Sequence, residues 1–169
     1  NKFNLKYVKK IIKKIKLKDL NDKKLLSNEI GTEASVISKN NKIRVLVDNI
    51  QKKYAYKPPK KYSGSCLDGR DITYKILPDA DFKFFLTANL KTRAKRRYKE
   101  LKKLNKIIKY NEVLKSIKER DKSDYKRKIS PLKITKDSIL IDTTKLSIKK
   151  CFIKIKNIID KSLKKKESN

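Results

Sequence analysis

Apolar residues recur along this chain with two patterns, one typical of amphipathic helices and one typical of buried strands. Val8, Ile11, Ile12 and Ile15 follow helical spacing, with lysines on the opposite face. The helical pattern covers residues 3–17, 33–39, 42–56, 90–104 and 111–126, and a last segment that follows Ser147. Residues 19–31 are polar and typical of turns. We therefore predict several short helices.

Residues with special backbone preferences mark where these helices begin and end. Thr32, Asn89 and Ser147 each precede a helical pattern, so we predict that their side chains cap these helices by accepting hydrogen bonds from the free N–H groups of the first turn. Pro58 and Pro59 end the helix over 42–56, because proline cannot continue a helix.

Three short segments predict β-strands, at residues 65–68, 82–88 and 138–143. The second is largely apolar, as in a strand that is buried on both faces. Since helical segments separate the strands, the predicted class is α/β with a parallel sheet. Arg70 and Asp71 follow the first strand, at the end where open α/β sheets bind ligands. A structural ion pair is the alternative for these two residues.

Lysine dominates the charge of the chain. Basic residues number 49 and acidic residues 18, which gives a net charge of +31. That charge suggests a surface for nucleic acid, but the lysines are spread evenly, as a compositional bias would also spread them. The basic helix over 3–17 fits either a membrane surface or packing on its own domain. No apolar run is long enough to span a membrane.

Other absences narrow the chemistry. The sequence has no histidine, which excludes histidine-based acid–base catalysis and triads. Cys66 and Cys151 have no metal-ligand spacing and fit two buried thiols in a reducing compartment.

The seven arginines are the most informative residues, because a guanidinium makes planar, bidentate contacts with phosphates and carboxylates. Arg93, Arg96 and Arg97 share one helix face, which suits a polyphosphate. A face that contacts RNA or only water is the alternative.

A second arginine group flanks a carboxylate. Arg120, Asp124 and Arg127 are spaced i, i+4 and i+7, so they are predicted to lie on one helix face. The arrangement suits a sugar diol held by the carboxylate and a phosphate held by a guanidinium. A surface ladder of salt bridges is the alternative.

Six runs of sequence occur in a fixed order: Asp68–Ile72, Leu77–Ala88, Arg93–Tyr98, Ile117–Asp121, Ser130–Lys133 and Leu140–Ile148. Their order and spacing closely resemble those of the bacterial cytidylate kinases, over roughly residues 28–163. The resemblance implies the nucleoside monophosphate kinase fold, a P-loop NTPase-type parallel sheet flanked by helices. It also implies transfer of the γ-phosphoryl group of ATP to CMP or dCMP, giving CDP or dCDP.

Carried over by position, the resemblance implies a set of substrate-binding residues: Ser35, Arg44, Arg70, Asp71, Arg120, Asp124 and Arg127. Of these, Arg70 and Arg120 resemble the residues that grip the CMP phosphate, and Asp124 resembles the carboxylate that holds the ribose. Ser35, Arg44 and Arg127 resemble the residues that read the cytosine, with Asp71 nearby.

The resemblance also implies an ATP side. A lid over about residues 89–111 carries Arg93, Arg96 and Arg97 over the ATP phosphates. Arg93 and Arg97 join Arg70 and Arg120 as expected catalytic groups. Mg²⁺ is expected with ATP as co-substrate, without a metal ligand from this chain.

The same resemblance divides the chain. It implies a helical nucleotide-binding region with a short insert over 1–62 and an α/β core over 63–163. The lysine-rich residues 164–169 are predicted from the sequence pattern to be a frayed tail. The resemblance further implies a monomeric, cytoplasmic enzyme without a membrane or nucleic-acid partner.

Two departures from the family pattern stand out. Residues 72–74 read Ile-Thr-Tyr where the family continues Gly-Arg-Asp with a Gly-Thr pair. The phosphate-binding motif G-x-x-x-x-G-K-[ST], which the family carries at its N-terminus, is absent, and the only glycines are Gly31, Gly64 and Gly69. We therefore expect a C-terminal portion that lacks the first strand and the P-loop, with marginal stability and no kinase activity alone. A kinase of another nucleoside monophosphate, or a basic RNA-binding protein, is the alternative.

Overall fold

The structure is a computed structural model that describes residues 4–38, 40–104 and 107–168. The described residues form two compact units, one ending at Gly69 and the other beginning at Arg70.

The first unit is helical. It contains α1 (Leu5–Lys14), α2 (Asn28–Ile37) and α3 (Asn41–Tyr56), with two short 3-10 helices, Leu17–Asn21 and Lys23–Leu26, between α1 and α2. Asparagine caps α1 and α3, because the side chains of Asn4 and Asn40 accept hydrogen bonds from backbone N–H groups of the first turn. Helix α1 packs against α3, and α3 ends before the two prolines, as predicted.

Two sequence predictions are wrong in this unit. Thr32 lies inside α2, because Ser27 begins the helix earlier by accepting a hydrogen bond from the backbone N–H of Ile30 at 3.2 Å. Residues 65–68 form no strand. No strand of the described residues pairs with them, and an isolated strand would leave its backbone groups without partners. The Ser65 hydroxyl instead donates to the carbonyl of Ala55 at 2.9 Å.

The second unit is α/β. It contains a single π-helical turn (Ile72–Ile76), β1 (Phe84–Thr87), α4 (Leu90–Lys103), α5 (Tyr110–Lys126), β2 (Ile139–Asp142) and α6 (Ile148–Glu167). Strands β1 and β2 pair in parallel, with Phe84 opposite Ile139 and Thr87 opposite Asp142. The predicted α/β class with a parallel sheet is confirmed. Helix α6 extends through residues 164–167, which the sequence pattern assigned to a frayed tail.

Predicted caps hold the helices that follow the strands. The side chain of Asn89 accepts a hydrogen bond from the backbone N–H of Thr92 at 2.7 Å, at the start of α4. Ser147 does the same for Lys150 at 3.2 Å, at the start of α6. Each cap satisfies a backbone donor that the helix leaves free and stabilises the helix by about 1 kcal/mol. The caps therefore fix where both helices leave the carboxyl ends of β1 and β2.

The core of the second unit lies where α4 packs against α5 and beside the sheet. Ala94 and Leu101 of α4, Val113 of α5, Ile141 of β2 and Ile76 of the π-helical turn are all buried. Burying a side chain such as Leu or Ile stabilises the fold by about 1.5–3 kcal/mol relative to an exposed one. This packing fixes α5, which carries most of the candidate site.

Candidate functional site

Three arginine side chains lie close to one carboxylate in the second unit. Asp124 lies near the end of α5, and its side chain is only 13% exposed. Arg70 Nε donates to Asp124 Oδ2 at 2.9 Å. Arg120 Nε lies 3.9 Å from the same oxygen, and a terminal nitrogen of Arg127 lies 3.5 Å from Oδ1. Three guanidiniums thus surround one carboxylate, and we call these four residues the Asp124 cluster.

Local backbone structure explains how α5 contributes to the cluster. Arg120 and Asp124 are one helical turn apart and lie on one face, as predicted. Arg127 is the residue after the helix, with an extended backbone (φ −64°, ψ 139°), so it reaches Asp124 from the turn that follows. Arg127 Nε also donates to the carbonyl of Ser130 at 2.5 Å. The turn after α5 therefore forms one wall of the cluster.

Arg70 reaches the cluster from the start of the second unit. The next residue, Asp71, is buried at 7% exposure, and its carbonyl accepts the first backbone hydrogen bonds of the π-helical turn. Residues 72–74, which stand where the family pattern has a Gly-Thr pair, lie within this π-helical turn. The Tyr74 hydroxyl donates to the carbonyl of Pro131 at 2.5 Å and joins this turn to the segment after α5.

The cluster carries a surplus of positive charge. Partial desolvation lowers the pKa of Arg120, and the neighbouring charges of Arg70 and Arg97 lower it further, against the opposing carboxylates of Asp124 and Asp121. The guanidinium still remains protonated. Because the like charges repel each other, a bound anion would lower the electrostatic energy, and phosphate matches the geometry of guanidinium donors.

Arg93, a predicted lid residue, bonds entirely within the protein. Its Nε donates to the carbonyl of Ala88 at 2.9 Å. Its two terminal nitrogens donate to the two carboxylate oxygens of Asp121 at 2.8 and 2.7 Å. The hydrogen bonds to Asp121 raise the pKa of Arg93. Arg93 therefore joins the first turn of α4 to α5.

The other two arginines of α4 contact different places. Arg96 donates to the carbonyls of Thr143 and Leu146, at 2.6 and 3.0 Å, in the loop before α6. Arg97 pairs with Glu100 on its own helix at 2.7 Å. The structure does not bring Arg93, Arg96 and Arg97 to one point, and their role at the ATP phosphates stays a prediction.

The carboxyl ends of the two strands form a second polar region. Thr87 and Asp142 lie opposite each other there. The hydroxyl and backbone N–H of Thr144 donate to Asp142 at 2.6 and 2.8 Å, and these bonds lower the pKa of the Asp142 carboxyl. The backbone N–H of Asn89 donates to the Thr144 hydroxyl at 3.0 Å. Helices α4 and α6 begin beside this edge, where parallel sheets bind ligands.

Two predicted cytosine-reading residues belong to the first unit. Arg44 lies on α3, and its Nε donates to the carbonyl of Ser38 at 3.3 Å. Ser35 lies in α2, and its side chain is outside the described part of the chain. The structure does not relate these residues to the Asp124 cluster.

Sequence reasoning missed two contributors to this region. Asp121 follows Arg120 in the chain, but its spacing gives no sign that it faces Arg93 on another helix. Ser130 has a positive φ of 51° and supplies the carbonyl that Arg127 contacts. A serine before proline signals a turn, yet it does not show which side chain the turn will face.

Known protein families show where this chain belongs. Residues 1–161 match the family described as cytidylate kinase. The chain belongs to the cytidylate kinase family.

Individual cytidylate kinases match most of the chain. That of Bartonella bacilliformis is 41% identical over 152 residues, which cover 90% of this chain and 69% of the relative. That of Clostridium botulinum strain Okra is 43% identical over 137 residues, covering 81% of this chain and 59% of the relative. That of Caldanaerobacter subterraneus subsp. tengcongensis is 44% identical, covering 80% and 58%. The chain thus spans 58–69% of the length of these relatives.

Two further findings concern metals and membranes. Among the described residues of this family member, no group of three or more His, Cys, Asp and Glu is placed to hold a metal ion. None of the described helices has the length and apolar character needed to cross a lipid bilayer.

Proposed function

We propose that this chain binds CMP or dCMP as part of an ATP-dependent phosphotransferase that produces CDP or dCDP. The observation that carries the proposal is the Asp124 cluster, in which Arg70, Arg120 and Arg127 surround one largely buried carboxylate. Membership of the cytidylate kinase family supports the same substrate.

The chemistry of the cluster suits a nucleoside monophosphate. Arg70 and Arg120 bind the phosphate, because Arg70 uses only its Nε for Asp124 and the Arg120 side chain is 60% exposed. Asp124 holds the ribose, since a carboxylate has enough acceptor sites for a sugar hydroxyl and a guanidinium together. Positioning and charge neutralisation are what phosphoryl transfer requires from a protein, and no histidine is needed.

The base lies beyond the ribose in this proposal. Arg127, Arg44 and the Ser35 hydroxyl donate hydrogen bonds to the acceptor atoms of cytosine, and Asp71 lies nearby. A uracil or purine presents a different set of donors and acceptors, so a site built for cytosine leaves buried polar groups unpaired with the wrong base.

The ATP side is proposed to lie under the lid over residues 89–111, with Arg93, Arg96 and Arg97 at the phosphates. In this structure three of the five N–H groups of Arg93 are bonded to Ala88 and Asp121, and the two that remain are the ones that would donate to a phosphate. Mg²⁺ is proposed to accompany ATP. We assign no residue of the described part of the chain, and no step, to the ion. We further propose a cytoplasmic, monomeric enzyme.

Isothermal titration calorimetry with the purified chain tests the substrate site. We expect CMP to bind more tightly than cytidine, because the phosphate adds charged hydrogen bonds. Asp124→Asn should weaken CMP by about tenfold, the usual effect of losing a charged acceptor. Asp160→Asn is the matched control, because Asp160 pairs with Lys156 on exposed α6 and should leave CMP affinity unchanged.

Other results of the titration would contradict the proposal. Equal affinity for CMP and cytidine would show that the chain has no phosphate site. An unchanged CMP affinity in Asp124→Asn would show that the Asp124 cluster does not bind CMP. Tight RNA binding with a steep salt dependence, without preference for CMP, would favour a basic RNA-binding protein instead.

A further inference from the structure

Ser130 has an unusual backbone conformation beside the Asp124 cluster. Its φ is 51°, the only positive φ of a non-glycine residue in the described ranges. The residue also precedes Pro131, and residues before proline strongly favour extended backbone with negative φ. Such a conformation is unfavourable by itself and persists only where the surroundings enforce it.

The Ser130 side chain does not explain this conformation. The residue is 8% exposed, and its hydroxyl has no hydrogen-bond partner among the described residues. Burying an unpaired hydroxyl adds a second unfavourable contribution at the same position. The side chain therefore does not hold the turn in place through a hydrogen bond.

Three backbone groups of the segment 130–132 make the contacts that enforce the turn. The Ser130 carbonyl accepts from Arg127 Nε at 2.5 Å, and the Pro131 carbonyl accepts from the Tyr74 hydroxyl at 2.5 Å. The Leu132 N–H donates to the carbonyl of Asp124 at 2.7 Å. Two of the three contacts are with residues of the Asp124 cluster.

We propose that Ser130 is a positioning residue for Arg127: its left-handed backbone turns its carbonyl toward Arg127 Nε and so directs the guanidinium to the substrate. With Nε held by Ser130, one terminal nitrogen faces Asp124 at 3.5 Å and the other donors remain for the nucleotide base. The inference rests on the proposed function for its consequence, discrimination between CMP and UMP. The contact between Ser130 and Arg127 can be tested without any nucleotide.

Two substitutions separate backbone from side chain. Ser130→Gly removes the unpaired hydroxyl but accepts a positive φ readily, so it should keep the carbonyl in place. Valine is β-branched and strongly disfavours a positive φ, so Ser130→Val should turn the carbonyl of residue 130 away from Arg127. Ser116→Val is the matched control, because Ser116 is exposed in the middle of α5.

The first measurement is the Nε–H resonance of Arg127 in the free chain, assigned by its loss in Arg127→Lys. We expect Ser130→Val to shift this resonance, while Ser130→Gly and Ser116→Val leave it in place. The Arg93 Nε–H resonance reports on the bond to Ala88 and should be the same in all three variants. A constant Arg93 signal shows that any change at Arg127 is local and not a failure to fold.

The second measurement is the affinity for CMP and UMP by calorimetry. Ser130→Val should weaken CMP by about tenfold and reduce its preference over UMP, while Ser130→Gly retains both. The proposal is overturned if the Arg127 resonance does not respond to Ser130→Val, or if Ser130→Gly changes affinity as much as valine does. If the wild-type chain binds no CMP, the proposed function fails, but the resonances still decide whether Ser130 positions Arg127.

Discussion

At the scale of single residues, arginine and lysine have different roles in this chain. All seven arginines contact a defined carboxylate or carbonyl, including Arg44 on Ser38 and Arg96 on Thr143. Sequence reasoning predicted that the arginines mark defined points and favoured ligands at these points, with ion pairs inside the protein as the alternative for Arg70, Arg120 and Arg127. Several guanidiniums instead hold elements of the protein together, since a planar fork matches a carboxylate as well as a phosphate.

Arg93 and Asp121 give the clearest case, and we predict that they contribute to stability. Asp121→Asn removes the negative charge and replaces one of the two carboxylate oxygens that accept from Arg93, at 2.8 and 2.7 Å, with an amide nitrogen that cannot accept. Because both side chains are about one third exposed, at 35% and 34%, the expected loss is only about 1 kcal/mol. Urea unfolding of the purified chain measures it.

The control for this prediction is Glu100→Gln. Glu100 pairs with Arg97 on the surface of α4, and its side chain is 49% exposed. Exposed pairs of this kind contribute about 0–0.5 kcal/mol, so the unfolding midpoint should barely change. An equal loss in both variants would show that the bidentate geometry adds nothing.

At the scale of elements, a buried lysine joins the start of β1 to the turn before β2. Lys83 is 8% exposed and donates to the carbonyl of Pro78 at 2.5 Å and to the carboxylate of Asp137. The hydrogen bond from Lys83, with a second from Thr135, lowers the pKa of Asp137. The ion pair therefore places the ends of two neighbouring strands in register, and the backbone N–H of Ile139 adds a bond to the Lys83 carbonyl at 2.8 Å.

This pair should make stability depend on acid pH. A carboxyl with a lowered folded-state pKa stabilises the fold above its ordinary pKa of about 4, and that contribution is lost as pH falls through the lower value. We expect Asp137→Asn to be less stable than wild type near neutral pH, with the difference shrinking below about pH 4. Urea unfolding at several pH values measures the difference.

A double variant supplies the control for the ion pair. In Lys83→Met with Asp137→Asn, no buried charge is left without a partner, so the combined loss should be smaller than the sum of the single losses. A difference between wild type and Asp137→Asn that stays constant with pH would contradict the assigned pKa shift.

Most features that depend on residues nearby in the chain were predicted well, and a feature that depends on a distant partner was not. Asn89 and Ser147 cap helices as predicted, because a cap depends only on residues nearby in the chain. The segment 65–68 has a strand-like sequence but forms no strand, because a strand depends on a distant neighbour. Thr32 does not cap α2, because the helix already begins at Asn28, within the residues 19–31 that the sequence pattern assigned to turns, and Ser27 caps it there.

At the scale of the whole molecule, the predicted site residues belong to two different units. The order of the motifs predicted family and class, and both are confirmed. Arg70, Arg120, Asp124 and Arg127 converge in one unit. Arg44 belongs to the other unit, and its place at the cytosine stays a prediction, because motif spacing carries no information on how two units meet.

Binding and catalysis should be separable in this chain. The Asp124 cluster lies within one unit, whereas the sequence contains no G-x-x-x-x-G-K-[ST] motif, whose backbone N–H groups and lysine hold the phosphates of ATP. We predict that the 169-residue chain binds CMP but forms no CDP from CMP and saturating MgATP. Calorimetry and chromatographic detection of CDP measure the two properties on the same sample.

The control is an Arg120→Ala variant purified in parallel. A trace of CDP that is equal in both preparations comes from a contaminating host kinase. A larger amount in the wild-type sample, lost with Arg120, would be genuine activity and would contradict the prediction. In that case the donor phosphates would have to be held by other groups of this chain. Arg93, freed from Asp121, and Arg97, whose charge already acts on Arg120, would be the first to test by substitution.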